Sequence, residues 1–153
     1  GDLRSIAIEK NLRGPVMVAY GDNVTNLDAG KLLKFHKKNK ARATVALFRV
    51  PWVDVSRFGV VKMKQDRIIS FVEKPARAKA PSNLANAGYY VVEHEEISRI
   101  PHGKIKVEHS LFPLLAAEGK LFGHIYKPKY WLDIGSMESY RHANRLMEGI
   151  LAP

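Results

Sequence analysis

Apolar residues fall into short runs and helical spacings that alternate along the chain. Residues 2–12 repeat at helical intervals and predict a helix. Residues 16–20, Val-Met-Val-Ala-Tyr, are a continuous apolar run, the pattern of a strand buried on both faces in a parallel sheet. The run stops at Gly21-Asp22-Asn23, after which Ala29, Leu32, Leu33 and His36 recur on one helical face. A second apolar run, residues 44–50, follows. Strand, loop, helix and strand in this order predict a βαβ unit.

The middle of the chain changes character. Residues 58–64 and 67–74 flank Gln65-Asp66 and read as a hairpin with a short polar turn. Residues 76–82, rich in Ala, Pro and Lys, read as a loop, and 87–93 as another strand. A helix is expected over about 108–118, where Pro113 is tolerated only near the first turn, whose N–H groups lack helical partners. Residues 121–126 are the last clear strand. Ser136 is placed to cap a helix whose Met137, Tyr140, Asn144 and Met147 share one face, ending near Gly149. Together these predict one α/β domain over residues 1–153, with a mixed, mainly parallel sheet. Its first helix has no earlier strand to cross over from, so the chain reads as starting within a fold.

Composition narrows the chemistry. With 46% hydrophobic and 26% charged residues the chain can build an ordinary globular core. It has no Cys, which removes a disulfide framework, a thiolate metal site and a Cys nucleophile. No apolar run approaches the ~20 residues of a membrane span, and the expected setting is reducing and cytoplasmic. The formal charge of +10 is densest at Lys31, Lys34, Lys37, Lys38, Lys40 and Arg42. Such a run is most simply a solvated helix face, and it also favours a polyanionic or phosphorylated ligand. No nucleic-acid-binding motif accompanies it. The six histidines are scattered without metal-ligand spacing, and His36 reads as a helix-face residue.

Five short segments carry candidate chemistry. Asp22 follows a strand, where ligands bind in open α/β sheets, and a carboxylate there suits a hard cation, although Gly-Asp also makes ordinary turns. Asp133, in Trp131-Leu132-Asp133-Ile134-Gly135, precedes a helix start; it could cap that helix or join Asp22 on one Mg²⁺. In Phe71-Val72-Glu73-Lys74-Pro75 the proline should end a strand and hold Lys74 extended. Lys74 could then reach a phosphate while Glu73 accepts from sugar hydroxyls; an exposed ion pair is the plainer alternative. Asn86-Ala87-Gly88-Tyr89-Tyr90 and Phe58-Gly59-Val60-Val61 place small residues at strand starts, where a ligand can approach the backbone. Asn86 offers both a donor and an acceptor.

These segments, in this order, resemble the sugar-1-phosphate nucleotidyltransferase family over nearly all of the chain, with Glu138-Ser139-Tyr140 continuing the match. The Asn86-Ala87-Gly88 version is most similar to mannose-1-phosphate guanylyltransferases and related heptose or glucose enzymes. The resemblance implies a Rossmann-like nucleotidyltransferase fold, and a reaction that makes an NDP-sugar and pyrophosphate from a nucleoside triphosphate and a sugar 1-phosphate. It implies that Asp22 and Asp133 hold the catalytic Mg²⁺. It assigns Lys74 to the sugar phosphate, and Gly59, Glu73, Asn86 and Gly88 to the surroundings of the sugar. The family's opening G-x-G-T-R loop, which wraps the triphosphate, does not occur in these residues. The chain is therefore expected to correspond to the C-terminal part of such a domain, inactive alone, with an exposed sheet edge able to support a homo-oligomer. Two other classes are compatible with the residues. One is a catalytically silent sugar-phosphate-binding or regulatory module on the same fold. The other, a basic nucleic-acid binder, rests on charge alone.

Overall fold

The computed structural model describes residues 3–103 and 105–151. Along the chain the elements are α1 (Leu3–Glu9), β1 (Pro15–Ala19), β2 (Asn23–Thr25), α2 (Ala29–Lys38), β3 (Ala43–Arg49), β4 (Gly59–Lys64), β5 (Arg67–Glu73) and β6 (Leu84–Glu93). They continue with α3 (His94–Ile97), α4 (Leu111–Ala117), β7 (Leu121–Ile125), β8 (Trp131–Asp133) and α5 (Met137–Leu151). Short 3-10 segments occupy Trp52–Arg57, Arg77–Lys79 and Val107–His109.

Six strands form one sheet in the order β1-β6-β3-β7-β5-β4, in which β4 also touches β6; β2 and β8 form a separate two-stranded ribbon. The α/β class holds, but the sheet is not mainly parallel. Among the described residues only β3 and β7 pair in parallel. The βαβ reading was right about direction and wrong about neighbours. β1 and β3 run the same way because each is antiparallel to β6, which lies between them. A continuous apolar run reports burial on both faces and says nothing of the direction of the adjacent strand. For residues 16–20 even that burial fails: β1 alternates exposed and half-buried positions, and no strand pairs with its outer edge among the described residues.

One face of the sheet packs Leu47, Val61, Ile68 and Tyr90 beneath Phe112 and Leu115 of α4. The other packs Ala46, Phe48, Val60 and Val91 beneath Leu32 of α2. Asp28 caps α2 by accepting from the Lys31 N–H at 2.9 Å, an ordinary N-cap that leaves the apolar face turned to the sheet. His36 lies on the same face as Leu32. It is buried, with Nδ1 2.9 Å from Thr44 Oγ1 and Nε2 3.0 Å from Glu93 Oε1, which ties α2 to β3 and β6.

The hairpin of β4 and β5 forms as expected, with Gln65 at φ 54° in its turn. α4 starts later than residue 108, because Val107–His109 make a 3-10 turn first; Pro113 is then its third residue, where no N–H is needed. α5 starts at the Ser136 cap and runs past Gly149. Its inward line is Ser139, Ala143 and Met147, whereas Met137, Tyr140 and Asn144 face outward. No helix among the described residues is long and apolar enough to cross a membrane.

Candidate functional site

The turn after β1 is held from several sides. The Tyr20 N–H donates to Gly88 O at 2.8 Å, and the Asn23 N–H donates back to Tyr20 O at 3.3 Å, so residues 20–23 close a tight turn that exposes Asp22. The next residues, β2, pair antiparallel with β8, and Asn23 stands opposite Asp133. The Ile134 N–H donates to Asp22 O at 2.7 Å. Two segments more than a hundred residues apart in sequence are thereby locked side by side.

Their carboxylates converge. A Cβ on Gly135 would stand 3.1 Å from Asp133 Oδ1 and 3.5 Å from Asp22 Oδ2, so both oxygens border the space this glycine leaves open. Asp133 Oδ1 also accepts from the Gly135 N–H at 2.8 Å. Asp54, which lines the same cleft, takes a basic partner in Arg57, whereas the Asp22 and Asp133 oxygens border the space at Gly135. Two carboxylates around an open cradle fit a hard divalent cation, which takes one or two such ligands and completes its shell with water or phosphate oxygens. Both residues line a cleft of about 680 Å³ with an apolar wall of Phe48, Phe58 and Trp131 and a rim that includes Arg57, Ser139 and His142.

The remaining candidates form a second group. Gly59 lies opposite Glu73 on β5, and the next residue, Val60, lies opposite Ala85 on β6. Continuing that register puts Asn86 on the other side of Gly59. Glu73, Gly59 and Asn86 thus form a row across three strands, and they do not line the aspartate cleft. The row exists because position 59 has no side chain: a Cβ there would meet Glu73 Oε2 at 2.6 Å and Phe71 Cζ at 2.7 Å. Asn86 spends its oxygen on the Gly88 N–H at 2.9 Å, which leaves its amide donors for another group.

Lys74 is not extended. Its φ is 45°, and its N–H donates to Phe58 O at 3.1 Å. The local bias from Pro75 is overruled by this tertiary bond, which turns the chain sharply at the end of β5. The side chain remains exposed.

Gly88 adjoins both groups. At φ 79° a Cβ would lie 2.0 Å from Asn23 Nδ2 and 3.1 Å from Tyr20 Cδ2. Its small size admits these protein side chains, and the Asn23 amide donates to Ala87 O at 3.3 Å. Trp131 Nε1 donates to the same oxygen at 3.0 Å, and the Tyr89 hydroxyl donates to Asn23 O at 2.7 Å. These bonds dock the β2–β8 ribbon on β6.

Sequence reasoning passed over Glu108, which is 7% exposed and accepts a hydrogen bond from the Tyr20 hydroxyl. Burial pushes its carboxyl up, against smaller opposing effects of its own backbone N–H and His109. A glutamate before an apolar helix gives no sign of burial in a linear reading. Ser139 and His142 were missed as cleft residues for a similar reason, since only the packing of α5 shows which of its faces borders the cleft.

The chain matches the nucleotidyl transferase family model over residues 4–149. It is 39% identical over 139 residues to a mannose-1-phosphate guanylyltransferase of Mycobacterium tuberculosis, covering 88% of this chain and 37% of that protein. It is 35% identical over 139 residues to a glucose-1-phosphate adenylyltransferase of Desulforamulus reducens, covering 84% and 34%. The chain thus spans little more than a third of these relatives' length. The fold is similar to that of a UDP-glucose pyrophosphorylase from Acinetobacter baumanii, with TM-score 0.79 at 21% identity over 96% of this chain and 55% of that one. A UDP-glucose pyrophosphorylase solved with UDP-glucose gives TM-score 0.76 at 21% identity, over 94% and 60%.

Proposed function

The chain belongs to the nucleotidyl transferase family, and we propose on that premise that it supplies the metal- and sugar-phosphate-binding part of a sugar-1-phosphate nucleotidyltransferase. The reaction proposed joins a nucleoside triphosphate and a sugar 1-phosphate into an NDP-sugar, with release of pyrophosphate. The observation that carries this reading is the convergence of the Asp22 and Asp133 carboxylates on the open space at Gly135.

Asp22 and Asp133 are the residues that would hold Mg²⁺, which when bound supplies positive charge against phosphate oxygens. Glu73 and Asn86 bracket Gly59 and offer acceptors and donors to sugar hydroxyls. Lys74, turned out at the end of β5, binds the sugar phosphate as a point charge. An oxygen of that phosphate attacks the α-phosphorus of the triphosphate as the bond to pyrophosphate breaks. Positioning and charge neutralisation suffice, and no covalent enzyme intermediate is required.

The substrates proposed are a nucleoside triphosphate with mannose or glucose 1-phosphate, in a cytoplasmic setting. The outer edge of β1, which pairs with no strand among the described residues, is the proposed route to a homo-oligomer. Titration calorimetry of the chain with each sugar phosphate, with and without Mg²⁺, tests the reading. Binding that strengthens with Mg²⁺ and drops in Asp133→Asn supports it. Binding indifferent to both the ion and the substitution contradicts it.

A further inference from the structure

We propose that Glu108 is a positioning residue for the Asp22 turn, acting through the hydroxyl of Tyr20. This rests on the reading of Asp22 as a metal ligand. Glu108 is one of the few buried acids, and no cation is within ion-pairing distance of it among the described residues. Its partner is the phenol of Tyr20. Tyr20 in turn is the hinge from which the Asp22 turn hangs: its N–H is fixed on Gly88 O, and its own carbonyl accepts from Asn23.

The ring of Tyr20 is wedged between Gly88 and Tyr90, in an edge-on contact with Tyr90 at 6.4 Å, and Tyr90 is itself edge-on to Phe112 at 5.2 Å. Apolar contacts of this kind fix the ring plane but leave the ring able to slide along it. A hydrogen bond at the far end of the phenol removes that freedom. The other anchors of the turn, Ile134 N–H on Asp22 O and the Asn23 amide on Ala87 O, come from the end of the ribbon and from β6, whereas Glu108 comes from the Val107–His109 turn. Glu108 therefore completes a clamp, with one jaw on β6 and the ribbon and the other on the 3-10 turn before α4. Burial favours the uncharged form of this carboxyl, so a neutral amide of the same shape should serve equally well.

The test compares Tyr20→Phe, Glu108→Leu and Glu108→Gln in the 153-residue chain, by amide hydrogen exchange and by Mn²⁺ titration followed by electron paramagnetic resonance. The Ile134 N–H, which binds Asp22 O, should exchange about three- to tenfold faster in Tyr20→Phe and Glu108→Leu, the effect of one hydrogen bond. Glu108→Gln should restore the native rate, and the α2 amides should be unchanged in all three. Mn²⁺ affinity should fall by a similar factor in the first two variants and recover in the third. Unchanged Ile134 exchange in Tyr20→Phe would overturn the proposal, as would failure of Glu108→Gln to rescue. Asp22→Asn separates the two ideas. If it leaves Mn²⁺ binding intact the metal reading fails, while the exchange data still decide whether Glu108 orders the turn.

Discussion

Glu73 and Gly59 stand opposite each other across β5 and β4, and the Glu73 carboxylate fills the space a Cβ on Gly59 would need, 2.6 Å from that point. Gly59→Ala should therefore push the carboxylate out of its row with Asn86. The Phe71 ring, 2.7 Å from the same point, packs on Phe112 at 5.6 Å and has little room to recoil. A loss of about 1–3 kcal/mol in urea unfolding is expected, the usual cost of overpacking, together with weaker sugar-phosphate binding by calorimetry. Unchanged binding would remove Glu73 from the sugar site.

Gly88→Ala should cost more than Gly14→Ala. Both glycines have positive φ, 79° and 68°, so both substitutions carry about 1–2 kcal/mol of left-handed strain. Only at Gly88 does the new methyl also strike the Asn23 amide, whereas nothing lies within 4 Å of a Cβ at Gly14. Equal destabilisation in thermal melts would show that Asn23 moves aside freely.

Acid should weaken the ion pairs around Arg99. Hydrogen bonds from Arg99, then Lys120, hold the Glu118 carboxyl down at about 2. Burial pushes Glu96 up, but its bonds to Arg42 and Arg99 outweigh this and leave it lowered. A folded value below the unfolded one, about 4.3, stabilises fully above the unfolded value and is lost as pH falls through the folded one. The urea midpoint of the native chain should thus fall more steeply from about pH 5 to pH 2 than that of Arg99→Met. Parallel slopes would mean the network contributes nothing measurable.

Lys74→Ala should weaken sugar 1-phosphate binding about ten- to a hundredfold, the worth of a charge-assisted hydrogen bond. Lys74→Gly should lose as much affinity yet be the more stable of the two, because φ 45° costs glycine nothing. Ala and Gly variants of equal stability would show that the turn at Lys74 is not strained.

The candidate residues were legible in the sequence because each sits at the end of an apolar run or beside a small residue, and the order of the motifs is specific. The hairpin turn at Gln65-Asp66 and the Ser136 cap were legible for the same local reasons. Which strands are neighbours was not. The placement of β6 between β1 and β3 depends on a pairing of residues 84–93 with two strands that precede them, and no local pattern encodes it. Lys74 shows the same limit at one residue, since a bond to Phe58, sixteen positions earlier, overrides the preference set by Pro75. Burial of Glu108 was hidden because its partner, Tyr20, is distant in sequence.

The most direct test of the central claim is the paramagnetic effect of Mn²⁺ on the ³¹P resonance of mannose or glucose 1-phosphate in the presence of the chain. If Asp22 and Asp133 hold one ion beside the sugar-phosphate residues, Mn²⁺ should sharply shorten the phosphorus relaxation time. The effect should disappear in Asp133→Asn, which removes the ion, and in Lys74→Ala, which removes the phosphate. Relaxation unchanged by the protein, or enhancement that survives both substitutions, would contradict the account.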